Sequence, residues 1–264
     1  MSRPVVVFSH ANGFPGSCYR RMHAELEPHY PVAYKDRLGH DPRYPVTDGW
    51  PHLVAELVDY IESLGTAPVI GVGHSLGGYL TFIAAVQRPD LFRAIVLLDA
   101  PIMSPWKGTA FAMVKRFGLV DRVTPAGATR ARRREWPSAD AALAHFRGRG
   151  GFRDFDPGCL EDYVATAMVP GKHGLRLAFD PEVEYRIYRS IPHDLAYYLP
   201  RLKVPAGFIG GTGSYELRRV GLAITRKHFR VDLIEGGHLF PFEKPRESAH
   251  ALQAMLGGLL GPHA

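Results

Sequence analysis

The sequence predicts an α/β fold built on one mostly parallel sheet of about six strands. Short apolar runs rich in β-branched residues recur along the chain, and segments with helical period separate several of them. A chain of 264 residues, 46% of them hydrophobic, can bury a large core. Strands that alternate with helices pair in parallel through right-handed crossovers, and one large domain is the simplest interpretation.

The predicted elements follow from these patterns. Strands are expected at residues 5–8, 32–35, 69–72, 94–98, 206–209 and 231–234. The clearest helical period runs from 51 to 64, where apolar residues line one face and Asp48 or Trp50 lies near the N-terminal cap. A further helix is expected over 76–87, and a terminal helix is expected to begin near Pro245.

The middle of the chain interrupts this alternation. Residues 102–200 are rich in arginine, glycine and aromatic residues and contain no continuous apolar strand, which predicts a helical cap inserted into a core formed by 1–101 and 201–264. Most of its apolar residues are expected to pack inside the cap, with a few facing the site as an apolar roof. They are Met103, Trp106, Phe111, Met113, Phe117, Phe146, Phe152, Phe155 and Tyr163.

Charge and cysteine content bound the partners and the compartment. The net charge of +6 does not form a single basic stripe, and the densest group, Arg130 and 132–134, is interpreted as a solvated helix face, so no nucleic-acid partner is expected. Two cysteines, Cys18 and Cys159, argue against a disulfide framework and favour a reducing compartment. The sequence contains no run of eighteen apolar residues, so no membrane span is predicted and a cytoplasmic location is expected.

A serine lies between a predicted strand and a predicted helix. The pentapeptide Gly73-His74-Ser75-Leu76-Gly77 fits the pattern Gly-x-Ser-x-Gly, and its context is the strand-turn-helix that this pattern requires. The two glycines permit a sharp turn, on which the Ser75 hydroxyl lies near the free amides of a helix N-terminus. The pattern therefore predicts that Ser75 is a nucleophile.

A serine hydroxyl needs a base to accept its proton. His238 follows the last predicted strand, on the same edge of the sheet as Ser75, where open parallel sheets place their sites. We therefore predict that His238 is the base. His74 is interpreted as structural, because neighbouring residues of an extended chain point in opposite directions.

The loop after the first strand is a candidate oxyanion hole. Residues 9–17 contain small and turn-forming residues that expose backbone amides. An amide of this loop, for which we name Asn12 while leaving its neighbours open, and the amide of Leu76 would hold the negative charge of a tetrahedral intermediate. Each donor contributes roughly a hundredfold to a thousandfold to the rate. The alternative without function is a plain Gly-Pro turn. His10 also lies at a strand end, but its loop suits the oxyanion hole better than a base.

These residues resemble the α/β-hydrolase superfamily, particularly its esterase and lipase-like members, whose first loop reads His-Ala-Asn-Gly-Phe. The likeness covers nearly the whole chain and rests on loop 10–14, the Asp-x-x-Gly-His turn at 36–40, the Ser75 elbow and Gly237-His238. It implies an α/β-hydrolase fold with no metal and no organic cofactor. The family usually begins with two further strands, so the resemblance implies a sheet shortened to about six.

The acid of the triad departs from the family pattern. Family members commonly carry it shortly after the strand at 206–209, where this chain reads Gly-Gly-Thr-Gly-Ser-Tyr-Glu. Asp99 ends the neighbouring strand, only about 4.8 Å away, and an unpaired buried aspartate costs several kcal/mol. Glu216 lies in or near the first turn of a helix, where the helix dipole already explains an acid. We favour Asp99 as the acid and leave Glu216 open, with a loop-bracing role as the non-catalytic alternative for Asp99.

The implied chemistry is acyl transfer on a small molecule. We predict a hydrolase that cleaves a carboxylic ester or thioester with a hydrophobic acyl group through a Ser-His-Asp triad and an acyl-enzyme. The same triad in relatives supports C–C bond hydrolysis, hydroxynitrile lyase activity and cofactor-free peroxidation, and the fold also serves ligand receptors. A serine at the elbow speaks against dehalogenases and epoxide hydrolases, which use a carboxylate. The natural substrate and the formation of a homodimer stay open.

Overall fold

The computed structural model describes residues 3–261 of the chain. Within that range the strands are β1 (Val6–Ser9), β2 (Val32–Tyr34), β3 (Val69–His74), β4 (Phe92–Leu98), β5 (Glu135–Trp136), β6 (Met168–Gly171), β7 (Gly174–Leu177), β8 (Ala206–Gly211) and β9 (Arg230–Ile234). The helices are α1 (Arg20–Leu26), α2 (Pro51–Ser63), α3 (Leu76–Gln87), α4 (Pro105–Arg116), α5 (Val120–Val123), α6 (Ala126–Arg130), α7 (Ala139–Arg147), α8 (Pro157–Ala167), α9 (Pro181–Arg189), α10 (Tyr215–Val220), α11 (Thr225–His228), α12 (Phe240–Glu243) and α13 (Pro245–Leu260). The main strands, α3 and α13 agree closely with the sequence prediction.

The central sheet has six strands in the order β2-β1-β3-β4-β8-β9. All its neighbouring pairs are parallel, so the carboxyl ends of the strands meet at one edge. The predicted six-stranded parallel sheet is therefore confirmed. Its central strands are apolar in succession because helices cover both faces.

The two faces of the sheet form separate hydrophobic clusters. Val96 and Leu98 of β4 belong to the cluster that includes buried residues of α1 and α13, whereas Ile95 and Leu97 belong to the cluster with α2 and α3. This alternation follows from the period of two along a strand. The covered sheet is a rigid support for the loops at its edge.

The α2 helix begins at Pro51, as predicted, and one of the two residues expected near its cap is the N-cap. Trp50 is the N-cap residue, with φ of 63° and no side-chain cap, and its indole N–H donates to the Ile187 carbonyl at 3.1 Å. Asp48 does not cap the helix but pairs with Lys115. Of the two candidates, Trp50 is therefore the cap residue, and contacts of its buried indole hold the start of the helix. Among residues 3–261, every helix is too short or too polar to traverse a lipid bilayer.

The segment between β4 and β8 contains helices α4 to α9 and a small antiparallel sheet in the order β5-β7-β6. This sheet was not predicted, because strands of two to four residues with mixed exposure give no continuous apolar run. The interpretation of the arginines as one helix face is wrong: α6 ends at Arg130, and 132–134 lie outside a helix. The division into core and cap stays a prediction.

The aromatic residues of this segment separate into two groups. Phe146, Phe152, Phe155 and Tyr163 pack with Phe14 of the first loop in one of the two clusters of the core. By contrast, Trp106, Met113 and Phe117 are exposed at 69%, 46% and 66%. These three, which lie on or directly after α4, are therefore not among the residues that pack inside.

Candidate active site

Ser75 lies on a tight turn between β3 and α3. Its φ of 52° and ψ of −114° are rare for a residue with a side chain, and its N–H donates to the Leu98 carbonyl at 2.9 Å. A Cβ on Gly77 would overlap the backbone carbonyl of Ser9, and one on Gly73 would overlap the backbone of Gly77. Close backbone packing therefore holds the turn and explains both glycines of the motif.

Gly77→Ala is expected to destabilise the fold by at least about 1–3 kcal/mol, since overpacking against fixed backbone forces the turn to shift. Urea unfolding followed by circular dichroism measures this change. Gly257→Ala is the matched control: Gly257 lies inside α13 with open space around it, and the same substitution should stabilise by about 0.5–1 kcal/mol. Equal stability of Gly77→Ala and the wild type would contradict the packing of this turn.

His238 bridges the serine and an acid. Its Nε2 lies 3.0 Å from Ser75 Oγ, and its Nδ1 lies 2.6 Å from Asp99 Oδ2. Because the carboxylate accepts at Nδ1, this nitrogen carries the proton and Nε2 is free to accept from the hydroxyl. The structure brings these three predicted residues together at the ends of β3, β4 and β9.

Asp99 is fully buried, yet its carboxylate is well supplied with donors. Oδ1 accepts from the Gly211 N–H at 2.9 Å, and Oδ2 accepts from the Ser214 hydroxyl at 2.6 Å besides His238. Asp99 has φ of 45°, a second strained residue at this edge. These donors offset the cost of burying a carboxylate at this position.

Glu216, the other candidate acid, lies in the first turn of α10, as predicted. Its Oε2 is 3.6 Å from His238 Nδ1, too far for a good hydrogen bond, and its side chain is 40% exposed. The Ser214 hydroxyl approaches it at 3.4 Å. The geometry thus favours Asp99 over Glu216 as the partner of His238, while the catalytic roles stay predictions.

The electrostatic surroundings of His238 favour its protonated form. Burial by itself lowers the pKa of His238, but the hydrogen bond to Asp99 and the charges of Glu216 and Asp99 act in the opposite direction. The net result is a pKa raised above the usual value. The imidazolium that forms when His238 accepts a proton is therefore stabilised in place.

Hydrogen bonds of His10 fix the loop after β1 and leave the backbone N–H of Asn12 free. His10 Nε2 accepts from the Leu38 N–H at 2.8 Å, so its Nδ1 carries the proton and donates to the Ala11 carbonyl at 2.8 Å. Burial lowers the pKa of His10 to about 4, which keeps this ring neutral. In a trans peptide the N–H points opposite to the carbonyl, so the Asn12 N–H points away from His10. The Leu76 N–H, at the first position of α3, has no acceptor within its helix.

Glu184 of α9 holds this loop from the segment between β4 and β8. Its backbone carbonyl accepts from the Asn12 side-chain amide at 3.1 Å, and its carboxylate forms an ion pair with Arg132. Burial raises the pKa of Glu184 to about 7, with the Arg132 charge opposing the shift. A Cβ on Gly13 would meet the Glu184 carboxylate. Nothing in the sequence pattern pointed to this pair.

A buried chain of hydrogen bonds joins the first loop to the loop of His238. The Ala11 N–H donates to the Tyr19 hydroxyl at 3.2 Å, which donates to His74 Nδ1 at 2.8 Å, and His74 Nε2 donates to the His238 carbonyl at 2.8 Å. Burial lowers the pKa of His74 to about 3, so the ring stays neutral. The position of His74 next to the serine was the only sequence signal for this connection.

Ser75 and His238 line a cavity of about 700 Å³. One wall comes from α4 and its surroundings and is largely apolar. It includes Met103, Trp106, Ala110, Phe111, Val114 and Ile191. Of the residues predicted to face the site as an apolar roof, Met103, Trp106 and Phe111 line this cavity.

Asp99, Glu216 and His238 are the cluster in residues 3–261 that could offer three ligand atoms to a metal, all within 4.8 Å of one another. Two of those atoms, His238 Nδ1 and Asp99 Oδ2, already form a hydrogen bond with each other. A metal ion would have to replace that proton. The donor set is therefore better satisfied by the proton than by a cation.

Comparison with known proteins gives matches along most of the chain. A family model described as "Alpha/beta hydrolase family" matches residues 6–251. The lipase LipV of Mycobacterium tuberculosis (strain ATCC 25618 / H37Rv) is 26% identical over 253 residues, which cover 92% of this chain and 89% of that protein. The crystal structure of E-2-(acetamidomethylene)succinate hydrolase is similar with a TM-score of 0.77 and 20% identity, covering 97% of this chain and 92% of the other. The thioesterase domain from the curacin biosynthetic pathway has a TM-score of 0.74 and 17% identity, covering 96% and 92%.

Proposed function

The chain belongs to the alpha/beta hydrolase family and is a hydrolase, and from this premise we propose that it cleaves a carboxylic ester or thioester with a hydrophobic acyl group. The proposed catalytic residues are Ser75, His238 and Asp99. One observation carries the proposal: Ser75 Oγ, both ring nitrogens of His238 and Asp99 Oδ2 form an unbroken series of hydrogen bonds, at 3.0 Å and 2.6 Å.

In the proposed first half-reaction, Ser75 Oγ attacks the carbonyl carbon of the substrate while its proton moves to His238 Nε2. The tetrahedral intermediate then collapses. The bond from carbon to the alcohol or thiol breaks, and the leaving group takes the proton from His238. Asp99 orients the ring and stabilises the imidazolium but keeps its own charge.

In the second half-reaction, a water molecule gives its proton to His238 Nε2 and attacks the acyl group on Ser75. The carboxylic acid leaves and the serine regains its hydrogen. In both halves the Asn12 and Leu76 N–H groups would hold the negative oxygen. Each donor would raise kcat roughly a hundredfold to a thousandfold. The bracing of Ala11 by His10 supports this assignment for Asn12.

The cavity supports a substrate with an apolar acyl part. Met103, Phe111 and Val114 line it, and no charged side chain comes from that stretch of α4 apart from Lys107. Cavities of this size bury most of the surface of a small molecule. We therefore infer a small-molecule substrate, with segment 102–200 acting as the cap over the site.

Location and assembly stay within the proposal. Cys18 and Cys159 are both buried and unbonded, which supports a reducing compartment such as the cytoplasm. The formation of a homodimer stays a prediction.

A series of 4-nitrophenyl esters of increasing acyl length tests the proposed reaction. We expect measurable hydrolysis with kcat/KM rising from acetate to a medium-chain acyl group, because each buried methylene contributes about 0.8 kcal/mol. Release of nitrophenol measures the rate, and thioesters of the same acids extend the series. Absence of hydrolysis throughout, with Ser75 still labelled by a fluorophosphonate, would instead favour C–C bond hydrolysis or lyase activity.

A further inference from the structure

We propose that the substrate carries an anionic group, a carboxylate or a phosphate, that Lys107, Arg122 and Arg219 bind at the outer end of the cavity. This inference rests on the proposed ester or thioester hydrolysis and defines a part of the substrate that the proposal leaves open. It begins from the position of three cations. They come from α4, α5 and α10, and all three line the same cavity as Ser75 and His238.

Exposure shows which end of the cavity these cations occupy. Arg122 and Arg219 are exposed, as are Trp106 and Tyr215, which also line the cavity. Asp99, at the other end, is fully buried. The cations therefore lie where a bound substrate would reach towards solvent.

Hydrogen bonds to carbonyl groups hold two of these side chains in place. The Lys107 ammonium donates to the Arg219 carbonyl at 2.7 Å and to the Val220 carbonyl at 2.9 Å. The Arg219 guanidinium donates to the Val123 carbonyl. Carbonyl oxygens carry no net charge, and each cation keeps further N–H groups for another acceptor. The result is an ordered, positively charged rim in which donors remain available.

These three cations differ from several neighbouring cations in having no carboxylate as an ion-pair partner. None of them forms an ion pair in the part of the chain that the structure describes. Lys115, on the same helix as Lys107, pairs with Asp48, and Asp121, the residue before Arg122, pairs with Arg189. Positive charge at the cavity rim is therefore left uncompensated, which favours an anion there.

The negative groups that line the cavity lie beside His238. Asp99 and Glu216 have carboxylate oxygens 2.6 Å and 3.6 Å from His238 Nδ1. An anion near the base would be repelled, whereas an anion at the rim would be attracted. The apolar wall between the two ends fits a substrate in which an apolar stretch separates the reacting carbonyl from its charge.

Two kinds of substrate carry such a charge, and matched pairs distinguish them. The first pair is 4-nitrophenyl hexanoate and the mono-4-nitrophenyl ester of adipic acid, which adds a carboxylate to the acyl group. The second pair is the hexanoyl thioester of N-acetylcysteamine and that of coenzyme A, which adds phosphates to the leaving group. We expect the anionic member of one pair to have about a tenfold higher kcat/KM, from the contribution of two or more cations.

The same pairs are measured on the Arg122→Gln/Arg219→Gln double variant, which leaves Lys107 and its contacts to α10 unchanged. The advantage of the anionic substrate should fall to about twofold, and about 0.5 M salt should reduce it in the wild type. Arg116→Gln is the matched control, because Arg116 is an exposed cation of α4 that does not line the cavity. The control should keep the full advantage.

The proposal is overturned if the neutral member is cleaved as well as the anionic member in both pairs. It is also overturned if the double variant keeps the full advantage. If the wild type cleaves none of the four compounds, the proposed function fails, and calorimetric binding of the same pairs to Ser75→Ala decides the anion question separately. Tighter binding of an anionic member supports the proposal, and equal binding overturns it.

Discussion

Ser75→Ala is expected to lower kcat for ester hydrolysis by about 10⁶-fold, because the variant lacks the oxygen that forms the acyl-enzyme. Alanine keeps the Cβ of serine, so the strain at φ of 52° is the same and the fold should be retained. Cavity and oxyanion amides are unchanged, so substrate should still bind. Steady-state kinetics with the best 4-nitrophenyl ester measures the loss, and circular dichroism checks the fold.

Ser63→Ala is the matched control for this variant. Ser63 ends α2, is exposed and only bonds the Tyr60 carbonyl, so its removal should leave activity unchanged. Removal of a nucleophile leaves far less than about one per cent of the wild-type kcat. If Ser75→Ala kept more than that, the reaction would have to use a different nucleophile. The receptor alternative predicts that binding tolerates this change and that turnover is low from the start.

Asp99→Asn should lower kcat by about 10⁴-fold. The carboxylate accepts from His238 Nδ1, which leaves Nε2 without a proton and able to accept from Ser75. An amide that presents its NH₂ to Nδ1 favours the opposite tautomer, with the proton on Nε2 and facing the serine. It also lacks the charge that stabilises the imidazolium.

Glu216→Gln is the matched comparison, and it should cost less than about tenfold, because a partly exposed charge at 3.6 Å contributes modestly. The base must be neutral to work, so kcat/KM falls as the pH drops through the raised pKa of His238. Loss of the Glu216 charge lowers that pKa, and the acid limb of the pH profile should move to lower pH. If Glu216→Gln were the inactive variant and Asp99→Asn the active one, Glu216 would be the acid.

The local patterns of the sequence were sufficient for the sheet and for two of the proposed catalytic residues. Buried parallel strands are short apolar runs, so β3, β4 and β8 could be recognised without knowledge of their neighbours. Ser75 follows the buried strand β3 and His238 follows the largely exposed edge strand β9, and the geometry of a parallel sheet then brings both to one edge. The Asp99 side chain could be placed only as one of two candidates.

The contacts that support the site depend on residues far apart in sequence. Ser214 and the Gly211 amide reach Asp99 across more than a hundred residues, and no periodicity encodes such a contact. The link from Tyr19 to His74 is similar. Between β4 and β8, strands β5 to β7 are too short for a strand pattern, and the Trp50 indole reaches the Ile187 carbonyl across 137 residues. These features follow from packing rather than from local propensity.

The most direct measurement is mass spectrometry of the wild-type protein quenched during turnover of a 4-nitrophenyl ester, with the adduct mapped by proteolysis. The account predicts an acyl group on the peptide that contains Ser75, and its absence in His238→Ala. Turnover at the full rate with no adduct on Ser75, or with the acyl group on another side chain, would contradict it.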